Sequence, residues 1–110
     1  MTDARLVLVT APGAGEAERL VRSLVEERLV ACGSLLPGVV SIYHWEGLVQ
    51  REEEVQILLK TTEARLAALL ERLPVLHPYE VPELLVLPIE AGHEPYLAWL
   101  RRESEPVEAR

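Results

Sequence analysis

A chain of 110 residues that is 49% hydrophobic is long enough to bury a core without disulfides and too apolar to be disordered. Its formal net charge of −7 argues against nucleic-acid binding, which needs clustered Lys and Arg, while remaining compatible with attracting cations. The longest apolar runs, such as Leu84-Leu85-Val86-Leu87, fall far short of the ~20 residues that cross a bilayer, so neither nucleic acid nor membrane is expected as a partner.

The length implies one domain over residues 1–110. Met1 to Arg5 lead into Leu6-Val7-Leu8-Val9 with no basic region before a cleavable apolar segment. The lone Cys32 excludes an intrachain disulfide and fits a reducing compartment, so the cytoplasm is the expected location. Lys60 is the only lysine, in a chain that otherwise uses arginine throughout.

Leu6 to Thr10 read as a short buried strand, broken by Ala11-Pro12-Gly13-Ala14-Gly15. From Glu16, the apolar positions Ala17, Leu20, Val21, Leu24 and Val25 follow helical spacing. This predicts a first helix ending near Ala31 to Gly33, with Gly33 as a left-handed cap. After the Pro37-Gly38 break, Val39, Ser41, Tyr43 and Trp45 alternate with Val40, Ile42, His44 and Glu46. That is a strand with neither face purely polar. Glu46-Gly47-Leu48 predicts a hairpin turn. A third strand follows, with Val55, Ile57 and Leu59 on one face and Gln56, Leu58 and Lys60 on the other; Arg51 to Glu54 form its solvated portion.

Thr62 is placed to cap a second helix carrying Leu66, Leu69, Leu70 and Leu73 and stopping at Pro74. His77 to Pro82, with two prolines, form a stiff connector. Leu84 to Ile89, apolar on both faces, read as a central strand. Glu94-Pro95 open a short third helix with Tyr96, Leu97, Trp99 and Leu100, and residues from about 104 to 110 form a frayed polar tail. The order β-α-β-β-α-β plus a C-terminal helix is an α+β, ferredoxin-like arrangement, with an antiparallel sheet and helices on one face.

A strand from Val49 to Thr61 would extend about 43 Å at ~3.3 Å per residue, whereas a compact chain of this length has a radius of gyration of roughly 13 Å. The hairpin tip therefore projects. It carries Ile42, Tyr43, Trp45, Leu48 and Val49, an apolar patch with exposed edge backbone that a neighbouring subunit would cover. An obligate homo-oligomer is expected.

Few constellations suggest chemistry. Gly13-Ala14-Gly15 lacks the third glycine of a dinucleotide loop, whose position holds Glu18, and reads as an ordinary helix entry. Cys32 and His77 are the candidate pair for a soft or borderline metal, since thiolate and imidazole favour copper and zinc. Without Cys-x-x-Cys or paired histidines there is no structural zinc motif, and two ligands bind weakly unless an oligomer axis repeats them. A Cys32–His77 nucleophile pair oriented by Glu83 lacks any surrounding motif, so an enzyme is not expected and no cofactor is required. Tyr43, Trp45, Lys60, Tyr79 and Glu83 suggest a polar-aromatic pocket, equally readable as subunit packing with a Lys60–Glu83 salt bridge.

The chain resembles the CutA divalent-cation tolerance proteins. The matching segments are Ala31-Cys32, Pro37-Gly38, Ser41-x-Tyr43-x-Trp45-Glu46-Gly47, Glu54-Val55-Gln56, Lys60-Thr61-Thr62, His77-Pro78-Tyr79-x-Val81-Pro82-Glu83-Leu84 and Tyr96-Leu97-x-Trp99-Leu100, in order along nearly the whole chain. Ser34 stands where many such sequences have Asn. The resemblance implies a cytoplasmic homotrimer whose long hairpins pair across subunit boundaries, tolerance of divalent metals, copper (Cu²⁺) above all, and copper contacts at Cys32 and His77. It also implies that Tyr43, Trp45, Lys60, Tyr79 and Glu83 lie near the subunit interface. The alternative is a small-molecule signalling trimer similar to the nitrogen-regulatory PII proteins, binding an anionic metabolite in the cleft between subunits.

Overall fold

The computed structural model describes residues 2–107. Its elements are strand β1 (Ala4–Ala11), helix α1 (Ala14–Glu26), strands β2 (Cys32–Trp45) and β3 (Leu48–Thr62), a 3-10 turn (Glu63–Arg65), helix α2 (Leu66–Leu76), strand β4 (Leu85–Pro88) and helix α3 (Glu94–Glu103). The four strands form one antiparallel sheet in the order β2-β3-β1-β4, which is the ferredoxin-like order.

Alternation along the strands divides the sheet into two faces. Val7, Val9 and Ala11 of β1 pair with Leu59, Ile57 and Val55 of β3, and this face is buried under Ala17, Leu20, Val21 and Leu24 of α1 and Leu69 and Leu73 of α2. The side chains of Leu6, Leu8, Leu58, Leu85 and Leu87 fall on the opposite face, where Leu85 is 55% exposed. Helix α3 takes one end of that second face, packing Leu97 and Leu100 against Ala4 and Ala31. It is thus an addition to the ferredoxin-like core on the side away from α1 and α2.

The first helix stops earlier than its apolar spacing suggests. It ends at Glu26, and the left-handed residue after it is Arg28, with φ of 58°. The Arg28 side chain is held by the carbonyls of Glu105 and Arg102, at 2.6 and 2.7 Å. Gly33 is inside β2 instead of at a helix end, and its role is close approach. A Cβ there would lie 2.7 Å from Val21 Cγ1 and 3.0 Å from Leu59 Cδ2, so the missing side chain lets α1 settle onto the sheet.

Other local expectations also shift. The Thr62 hydroxyl makes no capping bond; the Glu63 N–H is taken by the Asp3 carbonyl at 2.8 Å. Pro74 lies within α2, which continues to Leu76. In the last turn a proline forfeits only its own bond to Leu70, whose side of the helix is exposed to water. Strand β4 is four residues long and lies at the sheet edge, so its apolar pattern reflects an unpaired border rather than a central position. The expected tail begins with Ser104 fully buried, its hydroxyl donating to the Leu100 carbonyl at 2.7 Å; residues 108–110 lie outside the described residues.

The hairpin dominates the outline. The molecule measures 49 × 31 × 21 Å with a radius of gyration of 14.7 Å, longer in one direction than a compact body of this length. The turn is Glu46-Gly47, with φ of 50° and 79°, the two positive angles of a tight hairpin whose twist matches its strands. Pro37 and Gly38 do not end the strand. They form a bulge, two residues of β2 opposing Val55 alone, between the pairs Leu36↔Gln56 and Val39↔Glu54. Beyond it, Ile42, Leu48 and Val49 are 69%, 65% and 66% exposed.

Candidate functional site

The structure does not bring Cys32 and His77 together. Cys32 opens β2 opposite Lys60, which in turn pairs with Leu6. His77 follows the last turn of α2 and packs at Thr10, four residues further along β1, or about 13 Å along the strands. Among the described residues no group of three or more Cys, His, Asp or Glu side chains converges on one point.

His77 is buried with both ring nitrogens engaged. Nε2 lies 2.7 Å from the Thr10 carbonyl, which can only accept, so Nε2 carries the proton. Nδ1 then accepts the Tyr79 N–H at 3.0 Å. The ring is a neutral brace between β1 and the connector, with no lone pair left for a metal.

Cys32 is partly exposed, and its Sγ lies 3.5 Å from the Tyr96 hydroxyl of α3. The hydrogen bond with Cys32, then burial, pushes the Tyr96 phenol up to about 12. Lys60 donates to the Ser34 hydroxyl at 2.7 Å, forming a polar group on the strands beside this thiol. The chain thus has one thiol in an open, polar setting at the α3 end of the sheet.

The second cluster sits at the other end, under the hairpin arm. An open cleft of about 840 Å³ lies between the arm and the connector. Its walls include Tyr43 and Trp45 from β2, Glu52 and Glu54 from β3, and Tyr79 and Glu83 from the connector. Four of the five expected pocket residues therefore meet. Lys60 does not line the cleft, and no Lys60–Glu83 bridge forms; Glu83 instead accepts from Gln56 Nε2 at 3.1 Å.

Glu54, expected in the solvated stretch, is only 7% exposed. Its even-numbered place in β3 turns it away from the helices and toward the connector, where the Tyr79 hydroxyl donates to its Oε2 at 2.6 Å. Burial, followed by that bond and the charges of Glu54 and Glu52, raises the Tyr79 phenol well above its ordinary value. Tyr43 is raised as well, first by desolvation and then by a hydrogen bond with Glu52. Both phenols remain neutral donors facing carboxylates. Glu52 and Glu54 were accessible to sequence reasoning: on β3 they alternate in phase with Gln56, on the face that Tyr43 and Trp45 share.

Residues 5–103 match the family described as CutA1 divalent ion tolerance protein. The divalent-cation tolerance protein CutA of Pectobacterium atrosepticum is 49% identical over 100 residues, covering 91% of each chain. Among solved structures, the divalent cation tolerance protein from Thermus thermophilus shares 45% identity at a TM-score of 0.87, over 91% of this chain and 97% of its own. A structure from Archaeoglobus fulgidus, described as a periplasmic divalent cation tolerance protein CutA, is 30% identical at a TM-score of 0.89, over 93% of this chain and 99% of that one.

Proposed function

The chain belongs to the CutA1 divalent ion tolerance family, and from that premise we propose that it is a cytoplasmic homotrimer that binds divalent cations, Cu²⁺ first among them, weakly and without catalysis. The observation that carries the metal reading is the setting of Cys32: the chain's only thiol, partly exposed, beside the polar groups Tyr96 and Lys60. A thiolate favours soft and borderline metals. One ligand per chain makes a weak site, and a three-fold axis supplies the further ligands. His77 contributes as a brace that positions the connector, because both its nitrogens are already used.

Trimer formation is supported by the arm and by the open face of the sheet. Ile42, Leu48 and Val49 on the arm, and Leu85 and Leu87 on β4 at the other edge of the sheet, are exposed apolar side chains of the kind a subunit interface covers. The PII-like reading at the cleft is disfavoured by charge. Among the described residues four glutamates line the cleft, no basic residue does, and Lys60 lies elsewhere, so the formal charges on these walls repel an anionic metabolite.

Titration with Cu²⁺ tests the metal reading. Cys32→Ala is expected to abolish saturable binding, while His77→Ala leaves the affinity of the folded protein unchanged. Undiminished affinity in Cys32→Ala removes the thiol from the site. Cell fractionation tests the location, and recovery with periplasmic contents, as the name of the Archaeoglobus relative describes, would overturn it.

A further inference from the structure

The end of helix α1 departs from the usual chemistry of helix ends. It closes in a Schellman motif, with the Arg28 N–H bonded to the Val25 carbonyl and the Leu29 N–H to the Leu24 carbonyl, both at 3.0 Å. The left-handed position of that motif ordinarily takes glycine, and here it holds arginine at φ of 58°. The surroundings fix the backbone there. Arg65 Nε donates to the Arg28 carbonyl at 3.2 Å, and the Thr61 hydroxyl donates to the next carbonyl, that of Leu29, at 2.7 Å. A side chain kept at such a position points to a use that glycine could not supply.

That use lies at a second helix end. Arg28 donates through Nε to the Glu105 carbonyl and through Nη2 to the Arg102 carbonyl. These acceptors stand at and just beyond the C-terminus of α3, where a helix leaves carbonyls unpaired and favours positive charge. Helix α3 depends on such support. Ten residues make a marginal helix in water, and its buried contacts are Leu97 and Leu100 against the small Ala4 and Ala31, in a cluster separate from the main core. The Arg101–Asp3 ion pair, at 3.4 Å on the surface, adds little.

We propose that α3 is a strap that opens as one unit and that Arg28 is its latch, closing α1 through its backbone and α3 through its side chain. The strap carries Tyr96, whose hydroxyl lies 3.5 Å from Cys32 Sγ, so each opening lifts the phenol from the thiol. Arg28 thereby acts on the Cys32 end of the sheet without touching it. The latch stands whether or not Cys32 takes a metal.

Amide hydrogen exchange of the assembled protein, followed by NMR, tests this in Arg28→Gly. Glycine keeps the Schellman motif and suits its left-handed angle, so the variant removes the clamp without disturbing the end of α1. Two amides report on the strap: Leu97, bonded to the His93 carbonyl in the first turn, and Ser104, bonded to the Leu100 carbonyl at the far end. Both are expected to exchange faster by the same factor, about tenfold, the order of one charge-assisted hydrogen bond. The Ile57 and Leu59 amides of β3 should keep their rates. Arg28→Lys, which retains the charge but not the planar fork, should recover only part of the protection. Unchanged exchange at both α3 amides overturns the latch. Acceleration confined to Ser104 is fraying of the last turn and overturns the strap. Equal acceleration in β3 overturns it too, because that is a loss of global stability.

Discussion

Strands β2 and β3 pass through two environments. From Cys32 to Leu36, β2 lies over the helices, and its partners Ile57 and Leu59 are fully buried. From Val39 to Trp45, the same strand still makes its backbone ladder, yet Val40, Ile42, Tyr43 and Trp45 are all exposed. Hydrogen bonding is equivalent in the two regions and apolar burial is not. Apolar burial dominates the stabilisation of a small domain, so the inner half is held by its own chain. The arm takes its shape from the ladder, and under the trimer proposed above it takes its stability from a neighbour.

The most drastic way to break this contrast is to charge the arm. Ile42→Asp combined with Leu48→Asp is expected to reduce the particle seen by light scattering from three chains to one, with the circular dichroism of the domain retained. A particle that stays trimeric would place the interface elsewhere. In the inner half, truncating Leu59 to Ala should cost ~2–5 kcal/mol in denaturant unfolding, as for other fully buried leucines. Val49→Ala in the monomeric background should stay within ~0.5 kcal/mol, the usual range for exposed positions.

Two glycines sharpen the comparison on a smaller scale. Gly33→Ala should cost about 1–3 kcal/mol by overpacking against Val21, and Val21→Ala should restore part of that loss. Gly38→Ala meets no neighbouring atom but must hold φ near +77°, a cost of about 1 kcal/mol that no core substitution relieves. Equal rescue of both variants would mean that the bulge shares the packing of the core.

The smallest effect is electrostatic. Tyr96 titrates in the folded protein near 12, above its ordinary value of 10.0. Because the folded value is the higher one, its contribution to stability is complete below pH 10 and is lost as pH rises toward 12. Cys32→Ala should lower the Tyr96 transition toward 10, measured by tyrosinate absorbance. An unmoved transition would exclude the thiol as the main cause.

Much of the fold was legible because it depends on local rules. Helical spacing marks Ala17, Leu20, Val21, Leu24 and Val25, and alternation marks Val55, Ile57 and Leu59; all of these are buried except Val25, which is exposed. The turn at Glu46-Gly47 and the projecting arm follow from backbone chemistry and length alone. What escaped depends on contacts between distant residues. Gly33 looked like a helix cap because nothing local reveals that Val21 presses against it. Glu54 looked solvated because Tyr79, 25 positions away, provides its cover. Within one chain Cys32 and His77 lie apart for the same reason: chemical compatibility was legible, and separation by four residues of strand was not.

The extra residue at Pro37-Gly38 also shifts the odd–even numbering of everything after it. Before the bulge, odd-numbered residues of β2 such as Gly33 and Leu35 point to the helices; after it, even-numbered ones such as Val40 and Ile42 take that side. Removing Gly38 would restore one-to-one pairing, with Pro37 opposite Val55 and every pair from Val39↔Glu54 outward kept, so Tyr43 and Trp45 would stay on the face of the glutamates. The extra residue therefore bends and twists β2 locally, while the pairing with β3 decides which way the aromatic rings face.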